Sequence, residues 1–255
     1  MSTERFDFPN ASGLRLAAAL DRPSRQLAAY ALFAHYFTCG KDNLAASRIA
    51  HVLAGHSIAV LRFDFTGIGA SEGEFANTGF SANVADLIAA ADYLRQTRMA
   101  PALLIGHSLG GAAVLAAAEH VPEARTVVTI AAPSDPMHAT HLFKDRIPEI
   151  NATGEAEVVI AGRSFRVRRE FLDDLARQPL IERIARLRKA LLVLHAPNDN
   201  IVGIDHANRI FTAAKHPRSF ISLADADHLL SRKSDAIYVG NVVAAWAERY
   251  LDHAG

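Results

Sequence analysis

The chain has 255 residues, half of them hydrophobic, with 27 acidic and 27 basic side chains and a single cysteine. That size and apolar content suit one large domain, with at most a small insert, whose core needs neither disulfide nor metal. A formal charge of zero argues against nucleic acid or an anionic membrane as the main partner, and no apolar run approaches the ~18 residues of a membrane span.

The start, Met1 to Asp7, carries charges where a secretory signal needs an apolar stretch. The lone Cys39 excludes an intrachain disulfide and fits a reducing compartment. Both point to a cytoplasmic protein.

Taken in order, Arg5 to Pro9 and Leu14 to Leu20 flank the turn formers Asn10 and Gly13, which predicts a β-hairpin. Gln26 to Ala34 is a continuous apolar run and reads as a buried strand. It ends at His35-Tyr36-Phe37-Thr38-Cys39-Gly40. Asp42 or Asn43 is placed to cap a helix running to about Leu53, with Gly55 closing it. Ile58 to Phe65 is the next strand, followed by the loop Thr66 to Gly73. Ser81 is expected to cap a helix whose Val84, Leu87, Ile88, Ala91 and Leu94 form one apolar stripe, with Asp92, Arg95 and Arg98 opposite.

An apolar strand then runs into Gly106-His107-Ser108-Leu109-Gly110-Gly111 and out into the small-residue helix Ala112 to Ala118. The G-x-S-x-G spacing has a mechanical reason. A serine on a sharp strand-to-helix turn is strained, and its hydroxyl projects from the sheet, while side chains at either glycine would collide with strand or helix. The following helix aims its unpaired N–H groups at the serine oxygen, and the N–H of Leu109 is placed to bind an oxyanion. Arg125 to Ala132 is the next strand.

From about residue 134 to 189 the strand–helix alternation breaks. Glu155 to Arg169 reads as a hairpin about Ala161-Gly162-Arg163, flanked by helical stretches at Ala139 to Glu149 and Arg169 to Arg188. This reads as a charged, well-hydrated insert. Ala190 to His195 resumes the sheet and leads into Asn198-Asp199. A helix from about Ile204 to Ala214, a strand from Ser219 to Leu223, the loop Ala224 to His228 and a closing helix follow. That helix carries Val239, Val242, Val243, Trp246 and Tyr250 on one face. Strands alternating with helices give an α/β fold, a mostly parallel sheet covered on both sides. Reactive groups in such sheets gather at the carboxyl ends of the strands. Ser108, Asp199 and His228 each fall just after a strand.

A serine hydroxyl needs a general base beside it, and imidazole suits the task because its pKa lies at about 7. The base in turn needs a carboxylate to fix its tautomer. With the order serine, acid, histidine, four histidines follow the acid candidate Asp199. His206 and His216 lie on or at the end of a helix, and His253 lies in the tail. His228 alone lies in a loop directly after a strand, where the plain alternative is a loop histidine bonded to Asp225 or Asp227. Asp199 is the expected acid, with Asp135 a weaker candidate and Asp205 better suited to a helix start. The second oxyanion donor is expected in the loop after Ala34. The N–H of Phe37 is chosen, with Tyr36 or Thr38 as alternatives.

Together these residues resemble the α/β-hydrolase superfamily over essentially the whole chain. The motif Asp64-x-Thr66-Gly67-x-Gly69-x-Ser71 belongs to the same likeness. Residues 33–42 and 62–75 are similar to the hydrolase domain that some bacterial proteins join to an OsmC-like redox domain. His35-Tyr36 departs from the usual His-Gly oxyanion signature. The resemblance implies residues 1–255 as one hydrolase domain with a small cap at about 134–189, a carboxylic-ester hydrolase with nucleophile Ser108, acid Asp199 and base His228.

His138-x-x-His141 lacks a matching third metal ligand, and Gly67-Ile68-Gly69 lacks the rest of a dinucleotide fingerprint. No cofactor or metal is therefore expected. The basic run Arg163 to Arg169 reads as a solvated face. The expected chemistry is hydrolysis of short- to medium-chain esters through an acyl-enzyme on a small-molecule substrate, with no nucleic-acid or membrane partner. A homo-oligomer is left open. Thioester or amide hydrolysis, peptidase action and acyl transfer share the same three residues, and a non-catalytic module with a vestigial site is the rival of another class.

Overall fold

Every residue of β3 (Ala29–Ala34) is buried, and its side chains divide between two cores. Tyr30, Leu32 and Ala34 enter one core and Ala29, Ala31 and Phe33 the other, as the two-residue period of a strand requires. The computed structural model describes residues 1–35 and 39–251. Among them, β1 (Ser2–Pro9), β2 (Arg15–Arg22), β3, β4 (Ile58–Phe63), β5 (Leu103–His107), β6 (Thr126–Ile130), β9 (Ala190–His195) and β10 (Arg218–Ser222) form one sheet. Its order is β1-β2-β4-β3-β5-β6-β9-β10. The first three strands pair antiparallel, and all pairs from β4 onward are parallel.

The register decides where the chemistry sits. Ala34 lies opposite Gly106, His107 opposite Ile130, and Ile130 opposite Leu194, while His195 faces Ser222. The residues that leave these strands, Ser108, Asp199 and His228, therefore start from one edge of the sheet.

Helices α1 (Leu44–Gly55) and α8 (Lys233–Glu248) cover one face, and α2 (Phe80–Thr97), α3 (Leu109–Ala117) and α7 (Ile204–Ala213) the other. Asn43 caps α1, its side chain accepting the N–H of Ala46 at 3.1 Å. The expected cap at Ser81 is corrected. Helix α2 begins two residues earlier, after Gly79, and the Ser81 hydroxyl and N–H are instead bound by the Asp174 carboxylate. The strand expected from Gln26 starts at Ala29, and the one expected to reach Phe65 stops at Phe63. Tyr250 falls beyond α8, although its ring still meets Trp246 at 4.8 Å. No helix among the described residues is long and apolar enough to cross a membrane.

Between β6 and β9 the chain leaves the sheet. A kinked 3₁₀ segment (Pro136–Arg146) and α4 (Ile147–Thr153) precede the hairpin of β7 (Glu155–Ile160) and β8 (Arg163–Arg168). Then come α5 (Arg169–Ala176) and α6 (Leu180–Ala185). The hairpin buries one face, which is apolar. Ala156, Val158, Ile160, Phe165 and Val167 are buried, and Phe165 meets Phe75 at 4.8 Å between ring centroids.

Helices α1 and α8 cross where Gly240 meets Val52. A methyl group on Gly240 would sit 2.7 Å from the Val52 Cβ. Overpacking of this kind costs about 1–3 kcal/mol and outweighs the better helix propensity of alanine. Gly240→Ala should lower the urea midpoint. Adding Val52→Ala should cost less than the sum of the two single changes, because the pair shares one contact. Additive losses would show that the two helices do not meet there.

Candidate active site

Ser108 holds φ 55° and ψ −126°, a conformation that a residue with a side chain adopts only under constraint, at a cost of about 1–3 kcal/mol. The constraint is packing on both sides. A Cβ on Gly106 would run into the backbone of Gly110 and Gly111, and one on Gly110 into the carbonyls of Ala34 and His35. The Ser108 N–H donates to the Ile130 carbonyl at 2.8 Å, tying the turn to β6. Leu109 opens α3, so its N–H belongs to a first turn that lacks intrahelical acceptors.

Two loops complete the geometry. After β9, Asp199 takes the N–H groups of Ile201 and Val202 on Oδ1, both at 2.9 Å. After β10, His228 directs its Nδ1–H to Asp199 Oδ2 at 2.7 Å, and its Nε2 lies 3.0 Å from the Ser108 hydroxyl. One tautomer, protonated on Nδ1, satisfies both contacts and leaves Nε2 as the acceptor. Burial pushes the Asp199 carboxyl upward, but hydrogen bonds from His228, Val202 and Ile201 outweigh it and hold the group below the usual carboxylate range.

Of the competing groups, Asp135, Asp205, Asp227 and His206 are engaged elsewhere. Asp135 caps its own turn through Met137 N–H at 2.9 Å, and Asp205 pairs with Arg209 on α7. Asp227 accepts the N–H of Ser231 at 2.8 Å. His206 Nδ1 accepts the Ser134 N–H at 3.1 Å. Phe37, chosen as the second oxyanion donor, and its alternatives Tyr36 and Thr38 lie outside the described residues, as does His253.

Sequence reasoning missed two supporting imidazoles. His107 sends Nε2–H to the backbone carbonyl of His228 at 2.6 Å, and His195 sends its own to the carbonyl of Val202 at 2.7 Å. Each is the last residue of its strand, so each braces a loop that carries a neighbouring group. The sequence signal is a histidine at the end of an otherwise apolar strand: His107 as the variable residue before Ser108 in the G-x-S-x-G turn, His195 as the last residue before the Asp199 loop. Burial, reinforced by His228, pushes His107 down to about 3, and burial also lowers His195. Burial thus favours the neutral form of both, and each serves as a strut through the N–H it donates.

A small, partly open pocket lies against Ser108. Leu109, Pro133, Ala139, Leu142, Ile201 and Val202 make its apolar lining, with His138 and His141 on its wall. His138 Nε2–H is committed to the Ile201 carbonyl at 2.7 Å. Thus the segment after β6 is tied to the loop that holds Asp199.

The esterase domain of a Rhodothermus marinus protein has the same fold (TM-score 0.81) and is 48% identical, over 99% of this chain and all of that one. The chain belongs to the α/β-hydrolase superfamily. It is a serine-hydrolase-type member, an enzyme of the hydrolase class. A family model described as serine aminopeptidase, S33, matches residues 42–145. Est1E of Butyrivibrio proteoclasticus, solved with ferulic acid bound, shares the hydrolase fold (TM-score 0.79) at 18% identity, over 96% of this chain and 98% of that one. An uncharacterised Mycobacterium tuberculosis protein is 28% identical over 190 residues, 73% of this chain. The match spans 59% of that relative's length.

The neutral struts of this hydrolase have a consequence for stability. In the unfolded chain His107 takes up a proton below about pH 6.5, whereas in the folded protein it stays neutral to about 3. Its contribution is complete above pH 6.5 and is lost as the pH falls toward 3, with a slope of up to about 1.4 kcal/mol per pH unit. Urea unfolding between pH 7 and 4 should show this decline. His107→Gln, which keeps a donor near the Nε2 position, should flatten it. An unchanged slope would mean that His107 titrates normally in the fold.

Proposed function

We propose that the chain is a carboxylic-ester hydrolase that works through an acyl-enzyme on Ser108, with His228 as base and Asp199 as its orienting acid. The observation that carries this reading is the continuous chain of contacts, 3.0 Å from Ser108 Oγ to His228 Nε2 and 2.7 Å from His228 Nδ1 to Asp199. Ser108 gives its proton to Nε2 as its oxygen attacks the ester carbonyl. The N–H of Leu109 and a second amide from the loop after β3, Phe37 in this reading, hold the oxyanion. His228 returns the proton to the leaving alcohol, and water then repeats the sequence to release the acid.

The cavity supports short and medium acyl chains. It is apolar but small, and it is closed on one side by the segment 136–146, which serves as part of a small cap at about 134–189. The likeness to hydrolase domains joined to OsmC-like domains belongs to this proposal too. It is supported by residues 33–42 and 62–75 and by a relative that is itself described as a domain. A second reading, cleavage of peptides or amides by the same three residues, is favoured by one finding, the aminopeptidase description of the matching family model.

Ser108→Ala should lower turnover of p-nitrophenyl butyrate by at least about 10⁴-fold, and Asp199→Asn by about 10³- to 10⁴-fold. Across an acyl series, kcat/KM should be higher for acetate and butyrate than for palmitate. Retained turnover in Ser108→Ala would overturn the nucleophile. Faster cleavage of aminoacyl p-nitroanilides than of any ester would favour the second reading, and inertness toward every acyl substrate would favour the vestigial module.

A further inference from the structure

Four ionic side chains lie buried beside β3, in addition to the groups around Ser108: Asp21, Lys41, Arg62 and Asp64, with exposures of 5, 7, 4 and 2%. Ionic groups are rarely so buried unless paired, and here they pair twice. Arg62 Nε donates to Asp21 at 2.8 Å, and Lys41 Nζ to Asp64 at 2.9 Å.

The object they hold is the backbone of Lys41. Its N–H donates to Asp64 Oδ1 at 2.5 Å, its ammonium donates to Oδ2 of the same carboxylate, and its carbonyl accepts from the Arg62 guanidinium. All three polar groups of one residue are thus taken by Arg62 of β4 and Asp64 at its exit, two residues apart. Asp64 is held in turn by the Ala70 N–H at 3.0 Å, and Arg62 by the Ser47 hydroxyl at 2.9 Å. Gly40 lets the carboxylate come close, since a Cβ there would lie 2.9 Å from Asp64 Oδ1.

Stability alone is a weak reason for such a set. Desolvation offsets most of what a buried ion pair gains, and apolar residues of similar volume often do as well. Two charged pairs with directed hydrogen bonds do fix one backbone position, and the position they fix matters. Lys41 lies toward the far end of the loop that joins β3 to α1. The other end, Ala34 and His35, is wedged against Gly110 in the turn that carries Ser108. The loop between these anchors is the one from which the second oxyanion amide is expected.

We propose that Lys41 is a positioning residue for acyl transfer: locked by Asp64 and Arg62, it anchors the far end of the loop after β3 so that an amide of that loop meets the oxyanion formed at Ser108. The proposal rests on the acyl-transfer reading above. It assigns a task to Asp64 and Gly69 of the Asp64-x-Thr66-Gly67-x-Gly69-x-Ser71 motif, since a side chain on Gly69 would collide with the Asp64 carboxylate. Lys41 contacts no reacting atom. Its effect is transmitted through geometry, and a displacement of about 1 Å at such a donor can cost about 10²-fold in rate.

The test uses the full chain with Lys41→Met, Lys41→Arg and the double variant Lys41→Met/Asp64→Asn, which leaves no unpaired buried charge. Wild type is first titrated with a fluorophosphonate, and kcat and KM for p-nitrophenyl butyrate are then measured per titrated site. Lys41→Met should lower kcat about 10- to 100-fold with KM within about threefold. Lys41→Arg should recover most of the loss, and the double variant should stay slow even where its Tm matches wild type. If Lys41→Met fails to fold, the double variant decides. A kcat per titrated site within about twofold of wild type, with only Tm reduced, would leave Lys41 a purely structural residue and overturn the proposal. A loss confined to KM would also overturn it. If wild type neither labels nor turns over, the acyl-transfer reading falls and the proposal with it, which is distinct from an active wild type indifferent to Lys41.

Discussion

Ser108 is held in a backbone conformation that it would not adopt alone, because Gly106 and Gly110 let α3 press directly onto β5 and the end of β3. That close packing has consequences at several levels. It projects the hydroxyl from the carboxyl edge of the sheet and makes Leu109 the first residue of α3. It also wedges the start of the loop after β3 against the turn. The strain is sustained by the surrounding sheet, whose two cores are built from alternate residues of the same strands. Local strain and global packing are therefore one arrangement here.

Environment then sorts chemically identical side chains into different tasks. His107 and His195 end the strands on either side of β6, burial favours the neutral form of both, and each donates one ring N–H to a backbone carbonyl. His228 sits in a loop above them, with one nitrogen on a carboxylate and the other facing a hydroxyl. Asp199 receives three hydrogen bonds, which favour its charged form despite burial. A charged carboxylate at this place stabilises an imidazolium without itself accepting the proton. On the proposed reading, the proton moves between Ser108 and His228 while the struts keep both loops in register.

The parts of this molecule readable from sequence are those set by local chemistry. The glycine spacing around Ser108 fixes a strand–turn–helix, and alternation of apolar runs fixes a parallel sheet, so the common edge of Ser108, Asp199 and His228 follows. What escaped reading depends on tertiary contacts that local sequence does not specify. Ser81 has every local property of a helix cap, yet Asp174, far along the chain, binds it instead. The histidines at 107 and 195 have partners 121 and 7 residues away, respectively, and nothing local separates a strut from a base. The motif at residues 64–71 is legible in the sequence only as a likeness. Its physical content, a carboxylate grasping Lys41, requires a fold to bring 41 and 64 together.

The most direct test of the proposed chemistry is to trap the covalent intermediate. The protein is mixed with p-nitrophenyl butyrate, quenched in acid within the first turnovers, and its peptides are weighed by mass spectrometry. A butyryl adduct on the peptide bearing Ser108, formed and lost at rates consistent with kcat, is the expected result. Steady turnover with no adduct, or with the acyl group on another residue, would contradict an acyl-enzyme at Ser108.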